Sequence, residues 1–334
     1  MSRVTPAALF AFVLCGAAAA AGPEWIENDY DKAVAKAKEA GKLVHVHWRR
    51  DGCHWCTDLE EKTLSADEVA KFLGETCINV RMDRAKYGQL AEKFHVDATP
   101  DTQFVSSDGR VVKRIIGFLP AEDFLAEAKT APAAWAKIQE LEAAIVKDEK
   151  DAASRLELGR LLAATGDLDS ADRHLRAAID SDKDNAKGLA LDAWWTMAES
   201  RMREARPDVG KAKEALAKVQ ELDPKNEKGR MDNAAVQLAR IQVNSDPKNA
   251  KAALEKIAAD YPGTDGAAEA AFVLASDILI DIDRNFDAGE AMLKKLAADM
   301  PDDPWAKRVP AALEQLAEIR KESTKDIKKE GDPK

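Results

Sequence analysis

No stretch of this sequence forms a basic patch with interleaved aromatics. Sixty acidic residues outnumber fifty lysines and arginines, the formal net charge is −10 and the pI is near 5.2. A phosphate backbone needs a positive surface, so nucleic acid is excluded as a partner. Histidine is scarce at five and cysteine at four. The single Cys-x-x-Cys has no second such pair and no Cys-x-x-His, which leaves a tetrahedral zinc site short of ligands, so no metal is expected. Long apolar runs are confined to Ala7–Ala21, shorter than the roughly 20 residues a bilayer span needs. What remains is 46% hydrophobic and 33% charged over 334 residues, the composition of a folded chain long enough for two domains.

The first 22 residues read as a secretory signal. Arg3 supplies the positive start, Ala7–Ala21 the apolar stretch, and the alanines before Gly22 a cleavage site at Ala21 or Gly22. An uncleaved anchor is the competing reading. Leu14 stands where a lipoprotein has a small residue, so acylation of Cys15 is not expected. The mature chain is expected to be periplasmic or secreted, with no stable membrane insertion after cleavage, in a compartment where disulfides persist. Cys53, Cys56 and Cys77 then remain.

Cys53-His54-Trp55-Cys56 is the centre of the chemistry. Val44, Val46 and Trp48 alternate in a strand just before it, and helix-forming residues follow from Thr57. Two cysteines one helical turn apart open and close a disulfide with little backbone motion, and strand, turn, Cys-x-x-Cys and helix is the context such a pair requires. Further on, the pattern predicts helices over Asp29–Ala40, from a Ser65–Glu68 capping box, over Tyr87–Phe94 and over Ala121–Lys129. Strands are predicted over Cys77–Met82, Thr102–Ser106 and Arg110–Ile116, the last two joined by Ser107-Asp108-Gly109. The order αβααβαββα predicts an α/β unit, a mixed sheet with helices on both faces.

With Cys-x-x-Cys, Thr99-Pro100 and this element order, residues 23–130 resemble the thioredoxin superfamily, in particular exported members with Cys-x-Trp-Cys. The resemblance implies a nucleophilic Cys53, a resolving Cys56, and a cis Pro100 beside Thr99 whose backbone pairs with an extended substrate. Two positions depart from the family pattern. Gly52 replaces the tryptophan that often precedes the first cysteine, and His47 stands where a buried acid is usual.

A helix start favours the Cys53 thiolate, as do Arg49, Arg50 and His54, while Asp51 and Asp101 oppose it. His54 and Trp55 between the cysteines tune the redox poise. The bland alternatives for the pair are a structural disulfide or half a metal site. His45 reads as a core histidine; His47 reads either as core or as a proton relay to Cys56. Cys77 reads as a small buried hydrophobe rather than a third redox centre.

Beyond Ala131 strand signals stop. Ala171, Leu175 and Ala178 share one helical face, and the spacing recurs at Ala212, Leu216, Val219, at Ala250, Leu254, Ile257, and at Gly289, Leu293, Leu296; the copies begin 41, 38 and 39 residues apart. With Leu158-Gly159, Leu162 and Gly166, residues 131–320 resemble tetratricopeptide repeats, longer than the usual length of about 34. The resemblance implies an all-α solenoid. Trp194-Trp195 reads as packing or as part of a partner groove. Residues 321–334 read as a charged flexible tail.

These readings converge on an exported thiol–disulfide oxidoreductase that needs no dissociable cofactor and acts on thiols or disulfides of protein substrates, with a partner protein bound on the repeats. The rival is an adaptor in which the repeats function and the redox pair is dormant.

Overall fold

The computed structural model describes residues 23–204 and 207–330. The expected signal segment and residues 331–334 of the expected tail lie outside the described residues. Two compact units divide between Ile138 and Gln139.

The first unit runs β1 (Trp25–Glu27), α1 (Tyr30–Ala40), β2 (Leu43–Arg49), α2 (His54–Asp58), a π-helical continuation (Leu59–Leu64), α3 (Asp67–Thr76), β3 (Cys77–Asp83), α4 (Gly88–Lys93), β4 (Asp101–Val105), β5 (Val111–Ile116) and α5 (Ala121–Ala128); α6 (Ala131–Lys147) follows. The sheet order is β1-β3-β2-β4-β5. β1 and β2 run parallel to β3, with Val46 opposite Val80, while β4 is antiparallel to both β2 and β5, with His47 opposite Thr102. β2 is therefore central and buried from Leu43 to Trp48. Val44, Val46 and Trp48 join Val80, Met82 and Phe94 in the core, with Ala33 and Ala37 of α1 packed beside them. A strand covered on both faces reads as a near-continuous apolar run, and only the histidines interrupt this one.

Two expectations are corrected. The pattern held no strand ahead of α1, yet Trp25–Glu27 pairs with Asn79–Arg81; three residues are too few to carry a periodic signal. The Ser65 capping box does not form. Ala66 is the N-cap with no side-chain bond, and Ser65 Oγ instead donates to the Glu61 carbonyl, because the π-helical turns bring that oxygen within 2.5 Å. Gly41 does end α1, at φ +64.

The second unit is helical: α7 (Ala152–Thr165), α8 (Leu168–Ser181), α9 (Leu189–Arg203), α10 (Val209–Leu222), α11 (Met231–Gln242), α12 (Pro247–Asp260), α13 (Asp265–Val273) with a π-helical extension (Leu274–Ile282), α14 (Phe286–Asp299), a short 3₁₀ turn (Ala306–Arg308) and α15 (Val309–Glu330). All four recurring apolar triplets are buried, on α8, α10, α12 and α14. Gly289 replaces alanine in the last one because a Cβ there would lie 2.4 Å from Ile280 and 3.0 Å from the Ala275 carbonyl. Between repeats, buried Asp182 and Asp223 each accept backbone N–H groups from the following turn, and Asn185 and Asn226 sit at positive φ and cap the next helix. Helix α15 continues through Glu330, into residues 321–330 of the expected tail.

Candidate active site

Beyond Arg49 the chain turns through Gly52, at φ +73, and delivers Cys53 as the N-cap of α2. Cys53 is half-buried and Cys56, one turn on, is fully buried. The two are joined as a disulfide with Cα atoms 5.3 Å apart. Cys56 N–H donates to Cys53 Sγ at 3.2 Å, shared with the Cys53 carbonyl at 3.1 Å, so a backbone N–H of the first helical turn already faces the sulfur that would carry charge as a thiolate.

Opposite lies the loop before β4. Thr99–Pro100 is cis. The Thr99 carbonyl oxygen is 3.6 Å from Cys53 Sγ, and the Thr99 hydroxyl donates to the same sulfur at 3.7 Å. Gly117 N–H donates to the Pro100 carbonyl at 2.9 Å, and the Thr63 hydroxyl donates to the Leu119 carbonyl at 2.6 Å, so the loop after β5 is fixed as well. Its Phe118 ring lies 5.8 Å from Trp55, which is 56% exposed. Ile116, two residues before Phe118 and opposite Asp101 at the end of β5, is exposed as well.

His54 does not lean toward Cys53. Its Nε2 is 3.5 Å from Asp58 Oδ2, a carboxylate also held by Lys62 at 2.9 Å. Asp101 is buried and bridged by Arg114 Nε at 2.9 Å. Burial pushes its carboxyl up and outweighs the bonds from Arg114. The opposing charge expected from Asp101 is thus largely compensated.

Beneath the cysteines sits a charged cluster that the sequence reading saw only in part. His47, fully buried, meets Glu60 at 3.1 Å between Nε2 and Oε1. Arg49 Nε lies 3.4 Å and Arg81 Nε 4.0 Å from the same oxygen. Burial lowers the His47 pKa and outweighs the pull of Glu60, so the ring is neutral. Burial alone would raise Glu60, but the bond from His47 and the two guanidinium charges win and hold its carboxyl below the usual range. A neutral ring beside an ionised carboxylate selects the tautomer in which Nε2–H donates to Glu60. Nδ1 is left buried without a hydrogen-bond partner, so His47 is not bonded to Cys56 in the disulfide form. Glu60 went unremarked in the sequence, although its place four residues after Cys56, on the same helical face, was a usable signal.

His45 bonds Asn79 at 2.9 Å and stacks on Phe104, as a core histidine does; burial lowers its pKa to about 3. Cys77 is a buried free thiol pushed up to about 11 by burial, a poor nucleophile.

Residues 30–132 match the thioredoxin-like domain family, and residues 233–264, covering α11 and α12, match a tetratricopeptide repeat. The chain is 31% identical over 91 residues to thioredoxin H-type of Oryza sativa subsp. indica, covering 27% of this chain and 70% of that protein. It is also 31% identical over 102 residues to the thiol:disulfide interchange protein DsbD of Yersinia pestis, covering 29% of this chain but only 17% of that relative's length. Among solved structures, a thioredoxin from Thermus thermophilus shares 25% identity over 33% of this chain and 87% of that one, with a TM-score of 0.30. Among the described residues no helix is long and apolar enough to cross a membrane.

Proposed function

The chain belongs to the thioredoxin family through its amino-terminal domain, and from that premise we propose that it is an exported thiol–disulfide oxidoreductase acting on protein disulfides, its repeats binding a partner protein. One observation carries the redox reading: Cys53 is half-buried at a helix start, its Sγ 3.6 Å from the Thr99 carbonyl beside Pro100, while Cys56 is buried one turn behind it. In the reducing direction the Cys53 thiolate attacks one sulfur of a substrate disulfide, the substrate S–S bond breaks, and the first substrate sulfur leaves as a thiolate. The Cys56 thiolate then attacks Cys53 Sγ, the mixed disulfide breaks and the second substrate thiolate leaves. Two electrons have passed from the dithiol to the substrate, and the oxidising direction reverses each step.

Trp55, Phe118 and Ile116 offer an apolar bed for the substrate chain, and the Thr99 backbone offers it hydrogen bonds. His47, held by Glu60, is our candidate to take the Cys56 proton in the reduced form, through an Nδ1 that has no partner in the disulfide form. Trapping tests the scheme. Cys56→Ser should accumulate covalent partner complexes that reductant dissolves, and Cys53→Ser should accumulate none. If neither traps a partner and the wild type reduces no model disulfide, the pair is dormant.

A further inference from the structure

Three arginines distant in sequence converge on one groove of the repeat unit. Arg160 on α7, Trp195, Glu199 and Arg203 on α9, and Arg230 at the start of α11 line about 400 Å³ of open space. Their charges are unequally satisfied. Asp192 holds Arg160 at 2.7 Å, and Glu199 holds Arg203 at 3.2 Å. Arg230 pairs with no carboxylate among the described residues; its guanidinium lies over the Trp195 ring, 4.9 Å from the centroid.

The backbone under Arg230 is fixed. Its N–H donates to buried Asp223 at 2.9 Å, and the next N–H donates to Asn226 at 3.0 Å. A rigidly mounted, uncompensated guanidinium on an indole face, flanked by two further arginines, is complementary to a carboxylate with apolar surface next to it. In a chain of net charge −10 the unpaired charge is a local one, carried by Arg230, since Asp192 and Glu199 offset its two arginine neighbours. Neither chain end suits it: residues 1–22 contain no acid, and residues 321–334 carry five lysines against four acids.

We propose that this groove binds an acidic peptide segment of a partner protein, one carboxylate pairing with Arg230 while an adjacent apolar side chain lies against Trp195. The assignment rests on the repeats being the partner-binding unit, and it names the chemistry of that partner.

The test uses the full chain and fluorescence anisotropy of a short fluorescein-labelled peptide in which glutamates flank one phenylalanine, with glutamine and lysine counterparts as controls. The glutamate peptide should bind and weaken with salt. Arg230→Glu should weaken it by about tenfold or more, as expected for loss of a charge-assisted contact. Arg230→Gln gives the same readout if charge reversal perturbs α11, and turnover of a model disulfide by Cys53 should be unchanged in both variants. Equal binding of the glutamine peptide, or unchanged binding by Arg230→Glu, would overturn the proposal. Preference for the lysine peptide would overturn it while leaving partner binding by the repeats intact. Binding of pyrophosphate without binding of the glutamate peptide would overturn it in favour of a small anion, and failure of all three peptides would count against the partner-binding reading too.

Discussion

Acidification should loosen the amino-terminal unit well before Glu60 takes up a proton. His45 is fully buried with a pKa lowered from 6.5 to about 3, by burial first and then by the neighbouring His47. Unfolding returns it to water, where it binds a proton near pH 6.5. The unfolded state therefore holds more protons below that pH, so the stability His45 contributes is full above 6.5 and is lost as pH falls toward 3. Between pH 7 and 5 the loss amounts to about 2 kcal/mol from His45 alone. His47, also lowered by burial, adds a loss of the same sign. Glu60, held below its usual range, loses its contribution only below the ordinary carboxylate pKa; Asp101, which is raised, takes up its proton earlier in the folded state and gains stability as pH falls toward the ordinary carboxylate pKa, opposing the histidines. Asp101 can only add stability as pH falls, so a loss across pH 5–7 is the signature of the histidines. Hydrogen exchange of peptides covering 43–49 and 77–83, read across that window, should show protection falling in the wild type and a shallower fall in His45→Gln. Equal slopes in the two proteins would refute the argument, since they would place the titrating group elsewhere.

Glu60→Gln keeps an acceptor for His47 but removes the charge facing Arg49 and Arg81, and should cost about 1 kcal/mol in urea unfolding. If His47 relays the Cys56 proton, the same variant, like His47→Ala, should slow resolution of the mixed disulfide more than its formation in stopped-flow exchange; equal slowing would point to a packing defect. Gly289→Ala drives a methyl into Ile280 and the Ala275 carbonyl and should destabilise the repeats by about 1–3 kcal/mol, and unchanged urea unfolding would contradict that close approach. A fragment of residues 23–138 should unfold cooperatively and cycle its dithiol, and aggregation of that fragment would show that its core is incomplete.

Local chemistry was legible in the sequence because it depends on near neighbours. The strand before Cys53, the helix start at the first cysteine, the hairpin at Gly109 and the buried faces of α8, α10, α12 and α14 each follow from spacing over a dozen residues or fewer. Local too, though not recognised there, was the Asp-x-x-Asn turn at Asp182 and Asp223, whose side chains bond backbone a few residues on. The sequence also held no second Cys-x-x-Cys and no basic run with interleaved aromatics.

What only the tertiary structure decided are the meetings of residues distant along the chain. β1 exists because β3 offers it an edge, and the Thr99 carbonyl reaches Cys53 across 46 residues. His47 is neutral and paired with Glu60 because β2 is a buried central strand, a balance of desolvation and charge that depends on burial no linear pattern reports. The arginines of the repeat groove lie up to 70 residues apart and line one groove only when α7, α9 and the start of α11 pack side by side.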